Sequence, residues 1–363
     1  MRPAIPKGEE RQVFLLEFEH RWLAQDFVEE SRRLGELEKT KNQHYVPQLY
    51  LRRWAVDGLV QMTVVDRRQP PLVPQPSKEI GKRRNLYSLP PDDSTMGPPL
   101  RWIEKHLSRI EGESERHLAE LERHGLGVVT DVDLKRDLSV FLGIQMTRTP
   151  SNRERALVLV QAPDRAKRPL YPGMSDTEFQ AMIDRTEKDP KREALNLMLL
   201  DVRNVVAGSL FRREWAVVET NGPLLTCDDP VVLVGGGNFP RGFGGVTFSS
   251  VVMYPLNPTR LLVMFMLPGR GSRGGYVLDE RETYSVNLEI AAASHAVVFE
   301  RPGDELAEQF QVPPRAPVGY DAGLLSQLDD HAAMVMMLRG ASPQSRWAGL
   351  PDPPEWAVPR WHS

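Results

Sequence analysis

The feature that most constrains the fold is a change of hydrophobic pattern at Arg213. Between residues 99 and 212, apolar residues recur every three or four positions, which is the spacing of amphipathic helices. After Arg213, short β-branched and aromatic runs alternate with clusters of glycine and proline, which is typical of strands joined by turns. The pattern predicts an α+β fold, in which a helical middle region packs with a mixed or antiparallel sheet built mainly from the C-terminal half.

Helix starts and stops follow from proline, glycine and capping residues. Pro47 suits the first turn of a short helix, and Pro150 ends a helix that Thr130 or Asp131 can cap. The other predicted helices are Glu9–Leu37, Pro99–His124, Asp176–Lys188, Lys191–Phe211, Glu280–Ala293 and Leu324–Leu338. The predicted strands are Leu59–Val65, Asn85–Leu89, Trp215–Glu219, Leu224–Thr226, Val231–Val234, Ser250–Tyr254, Leu261–Leu267 and His295–Phe299.

We predict three segments along the chain. Residues 1–41 form an N-terminal amphipathic helix, and residues 42–340 form the core domain. That domain divides into a helical lobe at about 99–212 and a β-rich lobe at about 213–340, which strands from 59–90 join. Residues 341–363 form a tail rich in proline and tryptophan, which either clamps the body or stays flexible and offers a site for a protein partner. Three tryptophans in water would be an apolar liability, which favours the clamp.

Composition excludes several classes of protein. The apolar run Leu261–Leu267 is far shorter than the roughly 20 residues of a membrane-spanning helix, and the charged N-terminus lacks a secretory apolar block. Cys227 is the sole cysteine, so disulfides within the chain and thiolate zinc clusters are excluded. We therefore expect a cytoplasmic protein without a membrane span. The net charge of −3 argues against a chain dominated by affinity for nucleic acid.

Two basic runs leave local binding of phosphate open. The first is Lys82–Arg84, and the second is a looser run between Arg148 and Arg168. Each is either a solvated surface or a phosphate contact. Familiar motifs are absent, since the sequence has no Walker lysine, His-Glu-x-x-His or Gly-x-Ser-x-Gly, and Gly235–Gly237 precede no helix.

Several polar residues occupy unusual positions and are candidates for chemistry. His44 stands just before a helix. A neutral imidazole at that position acts as a general base or as a metal ligand, or else it caps the helix by bonding to the main chain. Glu104 and Glu111 share the apolar face of a helix, so they lie either at its edge in water or in a cavity. Each remaining candidate has a functional and a structural interpretation. Gln145 and Arg148 either bind an anion or close the C-terminus of a helix. Asp228 and Asp229 either bind a metal ion or form a turn before Pro230, and Cys227 is either a nucleophile or a packed core residue.

Five ordered blocks resemble the bacterial family known as domain of unknown function 4238. They are Asn42–Arg52, with its His-Tyr-Val-Pro core, then Asn85–Tyr87, Leu107–Glu111, Gln145–Pro150 and Leu225–Val231. The resemblance spans about Asn42 to Glu300 and implies a shared fold and shared polar positions, without an activity. The family usually has serine at Cys227 and asparagine at Asp229, so Asp228 is the better candidate of the acidic pair. The resemblance implies that His44, Glu111, Gln145, Arg148 and Asp228 form one pocket.

On these residues we hypothesise a metal-dependent hydrolase or nuclease that acts on a phosphodiester-type anionic substrate, with a role in bacterial conflict or defence. His44, Glu111 and Asp228 would be catalytic, and Glu111 and Asp228 would hold a divalent cation such as Mg or Mn. Gln43, Asn85, Gln145 and Arg148 would bind the substrate, a nucleic acid or nucleotide. The alternative is a non-catalytic module whose buried polar network joins the lobes, while basic surfaces engage protein or nucleic acid.

Overall fold

The fold was analysed in a computed structural model of the chain. It describes residues 18–66, 72–89, 100–166, 175–235, 245–270, 275–341, 345–348 and 350–362. The first half of the predicted N-terminal helix, before residue 18, lies outside the described residues. The part within them consists of a 3-10 turn, Arg21–Leu23, and the helix Gln25–Gly35.

Twelve α-helices are present in the described part of the chain. In chain order α1 to α12 are Gln25–Gly35, Gln48–Leu51, Trp102–Arg123, Val132–Thr147, Pro150–Ala166, Asp176–Lys188, Pro190–Asp201, Ala207–Phe211, Gly245–Phe248, Glu280–Ala293, Ala322–Leu325 and Asp330–Ala341. A π-helical turn, Val202–Val206, joins α7 to α8. Capping agrees with the sequence, because Asp131 caps α4 through the amide of Leu134, and Asp279 and Glu282 form a capping box on α10.

Twelve strands form three sheets within the described residues. In chain order β1 to β12 are Asn42–His44, Leu59–Val64, Gln75–Pro76, Lys82–Arg84, Gly127–Val128, Glu214–Thr220, Thr226–Cys227, Val232–Val234, Val251–Asn257, Arg260–Phe265, Val277–Leu278 and Val297–Glu300. The largest sheet has the order β11-β6-β10-β9-β8, with β5 also on β6, and only the β11–β6 pair is parallel. A second sheet has the order β3-β2-β12-β7, and β1 pairs with β4. The predicted α+β class is therefore confirmed.

The large sheet is buried on both faces, and its alternating residues show this. On β6, Trp215 and Val217 belong to one hydrophobic core, whereas Ala216 and Val218 belong to another. The first core also contains apolar residues of α3, α4 and α8, and the second contains residues of α10. Side chains of a strand point to opposite faces in turn, so these nearly continuous apolar runs mark a sheet covered on both sides. Residues of the predicted helical and β-rich lobes share the first core, and the boundary between the lobes stays a prediction.

The structure differs from the predicted elements at several places. The predicted helix Leu324–Leu338 is divided into two helices, α11 and α12. Asn85–Leu89 is not a strand, because Asn85 has a φ of +54°, in the left-handed region, and the strand β4 ends just before it. Residues that follow Arg148 form α5, Pro150–Ala166, whereas the sequence was interpreted as a loose basic run. Proline fits the first turn of a helix, so Pro150 both ends one helix and begins the next.

One helical stretch in the described residues, Pro190–Phe211, is long and apolar enough to cross a membrane by length and composition alone. The buried share of its most apolar window is 44%. The stretch packs against α4, α5 and α6. A core helix meets the same criteria, so we interpret it as part of the first core.

The C-terminal tail lies against the body. Trp361 is fully buried in the second core, edge-on to Phe265 at a centroid distance of 5.6 Å. His362 Nδ1 lies 2.8 Å from the hydroxyl of Ser250, and Arg360 forms an ion pair with Glu282. In this structure the tail is therefore a clamp rather than a free segment.

Candidate active site

Arg148 is the centre of the first polar cluster, which we call the Arg148 network. The C-cap of α4 places its side chain in the interior, where 1% of the residue is exposed. Its Nε donates to the carbonyl of Tyr45 at 3.0 Å, and its Nη1 donates to a carboxylate oxygen of Glu111. Gln145 Nε2 donates to the same Tyr45 carbonyl at 2.9 Å. Two side chains of α4 thus hold the main chain next to His44.

The neighbouring motif residues are also bonded to the main chain. Gln43 Oε1 accepts the amide N–H of Tyr87 at 2.6 Å, and the Tyr87 hydroxyl donates to the carbonyl of Arg148 at 3.0 Å. Asn85 bonds through its main chain, with its N–H donating to the carbonyl of Lys41 at 2.7 Å and its carbonyl accepting from Lys191. Gln43 and Asn85, predicted to bind substrate, here connect β1, β4 and the following turn.

His44 lies beside the Arg148 network, at the end of β1. Burial lowers the pKa of His44, Glu111 opposes that shift, and Arg148 adds to it. The ring also bonds to the main chain of Lys78, and its buried Nε2 has no hydrogen-bond partner among the residues that the structure describes. His44, Glu111, Gln145 and Arg148 are therefore neighbours. However, the imidazole nitrogen that would activate water is shielded from solvent.

Glu104 belongs to the same region and is largely buried. Burial first, and then the nearby Glu111, raise the pKa of Glu104 to about 8. At neutral pH the folded protein therefore holds this carboxyl mostly in its protonated, uncharged form. The sequence placed Glu104 and Glu111 on the apolar face of α3, and burial explains how a carboxyl is tolerated there.

Asp228 lies apart from this network in its bonding and is fully committed to the main chain. Its Oδ1 accepts the N–H of His295 at 2.7 Å, and its Oδ2 accepts those of Ala296 at 2.8 Å and Val297 at 3.2 Å. Burial and the adjacent Asp229 raise the pKa of Asp228, while these three amides oppose the shift. The carboxylate therefore anchors the start of β12 and sets the position of His295. Cys227 is likewise fully buried, and burial raises the pKa of its thiol well above the ordinary value.

Asp229, the next residue, points to a second polar cluster, which we call the Asp229 cleft. Its Oδ2 accepts the hydroxyl of Ser151 and lies 3.7 Å from Arg315 Nη1. That same Nη1 lies 2.9 Å from His295 Nδ1. Ser151, Asp229 and Arg315 border a cavity of about 50 Å³, room for a few waters or a small chemical group, and His295 contacts this cluster through Arg315. The cavity lining consists of Met146, Ser151, Asn152, Arg155, Asp229, Val231, Leu233, Glu289, Ala293, Arg315 and Ser345.

The contact with Arg315 fixes the proton on His295. A guanidinium only donates hydrogen bonds, so Nδ1 of His295 is the acceptor and the proton of the neutral ring is on Nε2. Nε2 lies 3.6 Å from Glu154 Oε1, at the exposed rim of the cleft. Burial, followed by the positive charge of Arg315, lowers the pKa of His295, which keeps the ring neutral near pH 7.

The predicted cation site has no cluster of ligands in the structure. In the part of the chain that is described, no group of three or more histidine, cysteine, aspartate or glutamate side chains is placed to hold a metal ion. Of the two predicted ligands, Glu111 is paired with Arg148 and Asp228 accepts three backbone amides. A divalent cation therefore stays a prediction from the sequence, without support from this geometry.

Sequence reasoning missed most of the cleft. Asp229 was considered but ranked below Asp228, and Ser151, His295 and Arg315 were not considered at all. Ser151 is in the first turn of α5, a helix that the sequence interpretation lacked. His295 and Arg315 lie 144 and 164 residues further along the chain, and no local pattern links them to Ser151. One signal was available, because His295 is the first residue of a predicted strand, where the connecting loop ends, and loops often carry functional residues.

No curated protein and no solved structure matches this chain. A family model does match, over residues 42–304, which is well over half of the chain and includes His44, Arg148, Asp228 and His295. The tail and the N-terminal segment lie outside the match. The chain therefore belongs to the family described as "Protein of unknown function (DUF4238)".

Proposed function

We propose that this protein hydrolyses a phosphodiester-type anionic substrate at the Asp229 cleft. The observation that carries the proposal is the chain of contacts Ser151–Asp229–Arg315–His295, of which the first three residues border a cavity. A carboxylate, a guanidinium and a neutral imidazole within a few ångströms are the groups that acid-base hydrolysis of an anion needs. The Arg148 network has similar groups, but its side chains form hydrogen bonds to main-chain carbonyls.

Asp229 is the residue we assign as general base. Its Oδ2 is engaged by Ser151 and Arg315, while within the described residues its Oδ1 accepts no hydrogen bond. A water at Oδ1 would give its proton to Asp229 as its oxygen bonds to phosphorus, and the bond from phosphorus to the leaving oxygen would break. The leaving oxygen would then take a proton from solvent. General-base catalysis of this kind contributes roughly 10²- to 10⁴-fold to a rate.

Arg315 and His295 are the groups we assign to the anion. Arg315 is at the cavity and carries a charge that persists at all physiological pH values. Nε2–H of His295 is a neutral donor at the rim, and it can bond to a non-bridging oxygen of the substrate. Asp228 would act through His295, as a positioning residue, because it fixes the main chain that carries the ring.

The test is hydrolysis of bis(4-nitrophenyl) phosphate by the full chain, followed by release of nitrophenolate. We expect Asp229→Asn to lose about 100-fold or more in kcat/KM with an unchanged melting temperature. Glu308→Gln, which alters an exposed carboxylate, is the matched control and should behave as wild type. Absence of turnover by the wild type, or wild-type turnover by Asp229→Asn, would overturn the proposal. Parallel assays with EDTA and with added Mg²⁺ or Mn²⁺ test the predicted cation.

A non-catalytic module is the second candidate, and one observation favours it. Polar residues of the family blocks, namely Gln43, Gln145, Arg148 and Asp228, all bond to main-chain groups of distant segments. Such a network stabilises one arrangement of the chain without chemistry. If this function is correct, the cleft variants change ligand binding, and no phosphodiester is turned over.

A further inference from the structure

A surface of unpaired positive charge lies on the two-stranded sheet of β1 and β4. The register pairs Asn42 with Arg84, Gln43 with Arg83 and His44 with Lys82. Arg83 and Arg84 are exposed, and neither forms an ion pair within the described residues. Lys82 differs, because its ammonium lies 2.6 Å from Glu79. Successive residues of a strand project to opposite faces, so Arg83 lies on the same face as Gln43 and Arg84 on the same face as Asn42. Each arginine presents a charge to solvent without an ion-pair partner in the described part of the chain.

Further cations extend this surface at the turn that follows β4. Lys41 is exposed and its carbonyl accepts the N–H of Asn85. Lys191 Nζ donates to the carbonyl of Asn85 at 3.2 Å, and Arg153 Nη1 donates to that of Leu86 at 2.6 Å. We call Lys41, Arg83, Arg84, Arg153 and Lys191 the basic ribbon.

Asp189 is the carboxylate that acts on the inner end of the ribbon, at Lys191 and Arg153. Burial, and then the charge of Arg153, lower the pKa of Lys191, while Asp189 opposes this shift. Asp189 is itself bonded to Arg192 and to the main chain of α7. Mutual repulsion between neighbouring cations is the mark of a surface that an anion would stabilise.

The ribbon also borders the Asp229 cleft. The charge of Arg83 acts on both His295 and Tyr45, and that of Asp229 acts on the same two side chains. Arg153 is in α5 with Ser151 and Arg155, but on a different face of the helix from those two cavity-lining residues. The end of the ribbon at Arg83 is therefore the end whose charge reaches the residues to which we assign hydrolysis.

We propose that the basic ribbon binds backbone phosphates of a nucleic acid and guides the strand to the Asp229 cleft. The guiding role rests on the proposed function, whereas the binding does not. A competing explanation is that Lys82, Arg83 and Arg84 only protect a short strand from pairing with other chains. The two explanations differ in one respect, since only the first requires affinity for phosphates that depends on salt.

The experiment is fluorescence anisotropy of a labelled oligonucleotide, as a single strand and as a duplex, with the full chain between about 50 and 200 mM salt. Each phosphate contact adds about 0.7 to the slope of log affinity against log salt for a single strand. We therefore expect Arg83→Gln/Arg84→Gln to reduce that slope by about 1.4 and to weaken binding at the low-salt end tenfold or more. Arg123→Gln/Arg281→Gln removes two other exposed arginines and should keep the wild-type slope.

The outcomes separate this inference from the proposed function. Salt-dependent binding by the wild type that the ribbon variant loses supports the inference, whether or not the strand is cleaved. Absence of such binding, or equal slopes for the ribbon variant and the wild type, overturns it even if bis(4-nitrophenyl) phosphate is hydrolysed. Binding without turnover of any phosphodiester contradicts the proposed function alone.

Discussion

The Arg148 network and the Asp229 cleft contain the same kinds of side chain and use them differently. Each has an arginine, carboxylates and a histidine. In the network, Arg148 and Gln145 donate to the carbonyl of Tyr45, and the arginine is almost wholly buried. In the cleft, Asp229 and Arg315 contact other side chains beside a cavity. The difference indicates that polar groups bonded to the main chain maintain the fold, whereas those bonded to each other at a cavity remain available to a ligand.

Loss of Arg148 should have the largest effect on stability. Arg148→Met leaves Glu111 without its partner and removes a donor from the Tyr45 carbonyl, so we expect a loss of about 4 kcal/mol in the free energy of unfolding. Denaturation in urea measures it. Arg148→Met/Glu111→Leu should recover part of the loss, because no charge is left unpaired. A loss below about 1 kcal/mol for the single variant would mean that the network does not hold the fold together.

Loss of the Asp228 carboxylate should have the second-largest effect on the free energy of unfolding. This variant tests whether Asp228 stabilises the fold, as the Arg148 network does, rather than serving the Asp229 cleft. Asp228→Ala leaves three backbone N–H groups at the start of β12 without an acceptor, which should cost about 3 kcal/mol. Asp229→Ala is the matched control, and we expect it to cost less, because Asp229 is bonded to side chains. Equal losses for the two variants, measured by urea denaturation, would contradict the distinction between network and cleft.

The last prediction concerns Glu104 and the way in which stability changes with pH. The pKa of its carboxyl is about 8 in the folded protein and 4.5 for a solvent-exposed glutamate, so its contribution to the free energy of unfolding is fully present below about pH 4.5 and lost as the pH rises through about 8. Glu104→Gln should therefore gain stability relative to wild type between pH 5 and pH 8. Melting temperatures at several pH values measure this, with Glu115→Gln, an exposed position on α3, as the control. Parallel pH curves for wild type and Glu104→Gln would show that this carboxyl is ionised in the fold.

Local patterns predicted many elements because each depends on neighbouring residues. The helix Glu280–Ala293 has the predicted bounds, since its capping residues and apolar spacing lie within one short segment. The predicted strand at residues 85–89 was wrong, because Asn85 adopts a left-handed backbone conformation that a strand does not allow. In the candidate site, the nearness of His44, Glu111, Gln145 and Arg148 followed from the family blocks. The partners of Asp228 did not, because backbone amides from residues 295–297 carry no signal in the sequence.

By itself the sequence determined the α+β class and the family to which the chain belongs, because these depend on periodicity and on short ordered blocks. Only the tertiary structure decided which polar side chains form hydrogen bonds to the main chain and which lie together at a cavity. Asp228 and Asp229 are adjacent and chemically identical, yet one anchors β12 and the other faces Ser151 and Arg315. The chain bends at these two residues, directly after β7, so each side chain has different surroundings and those surroundings decide its role.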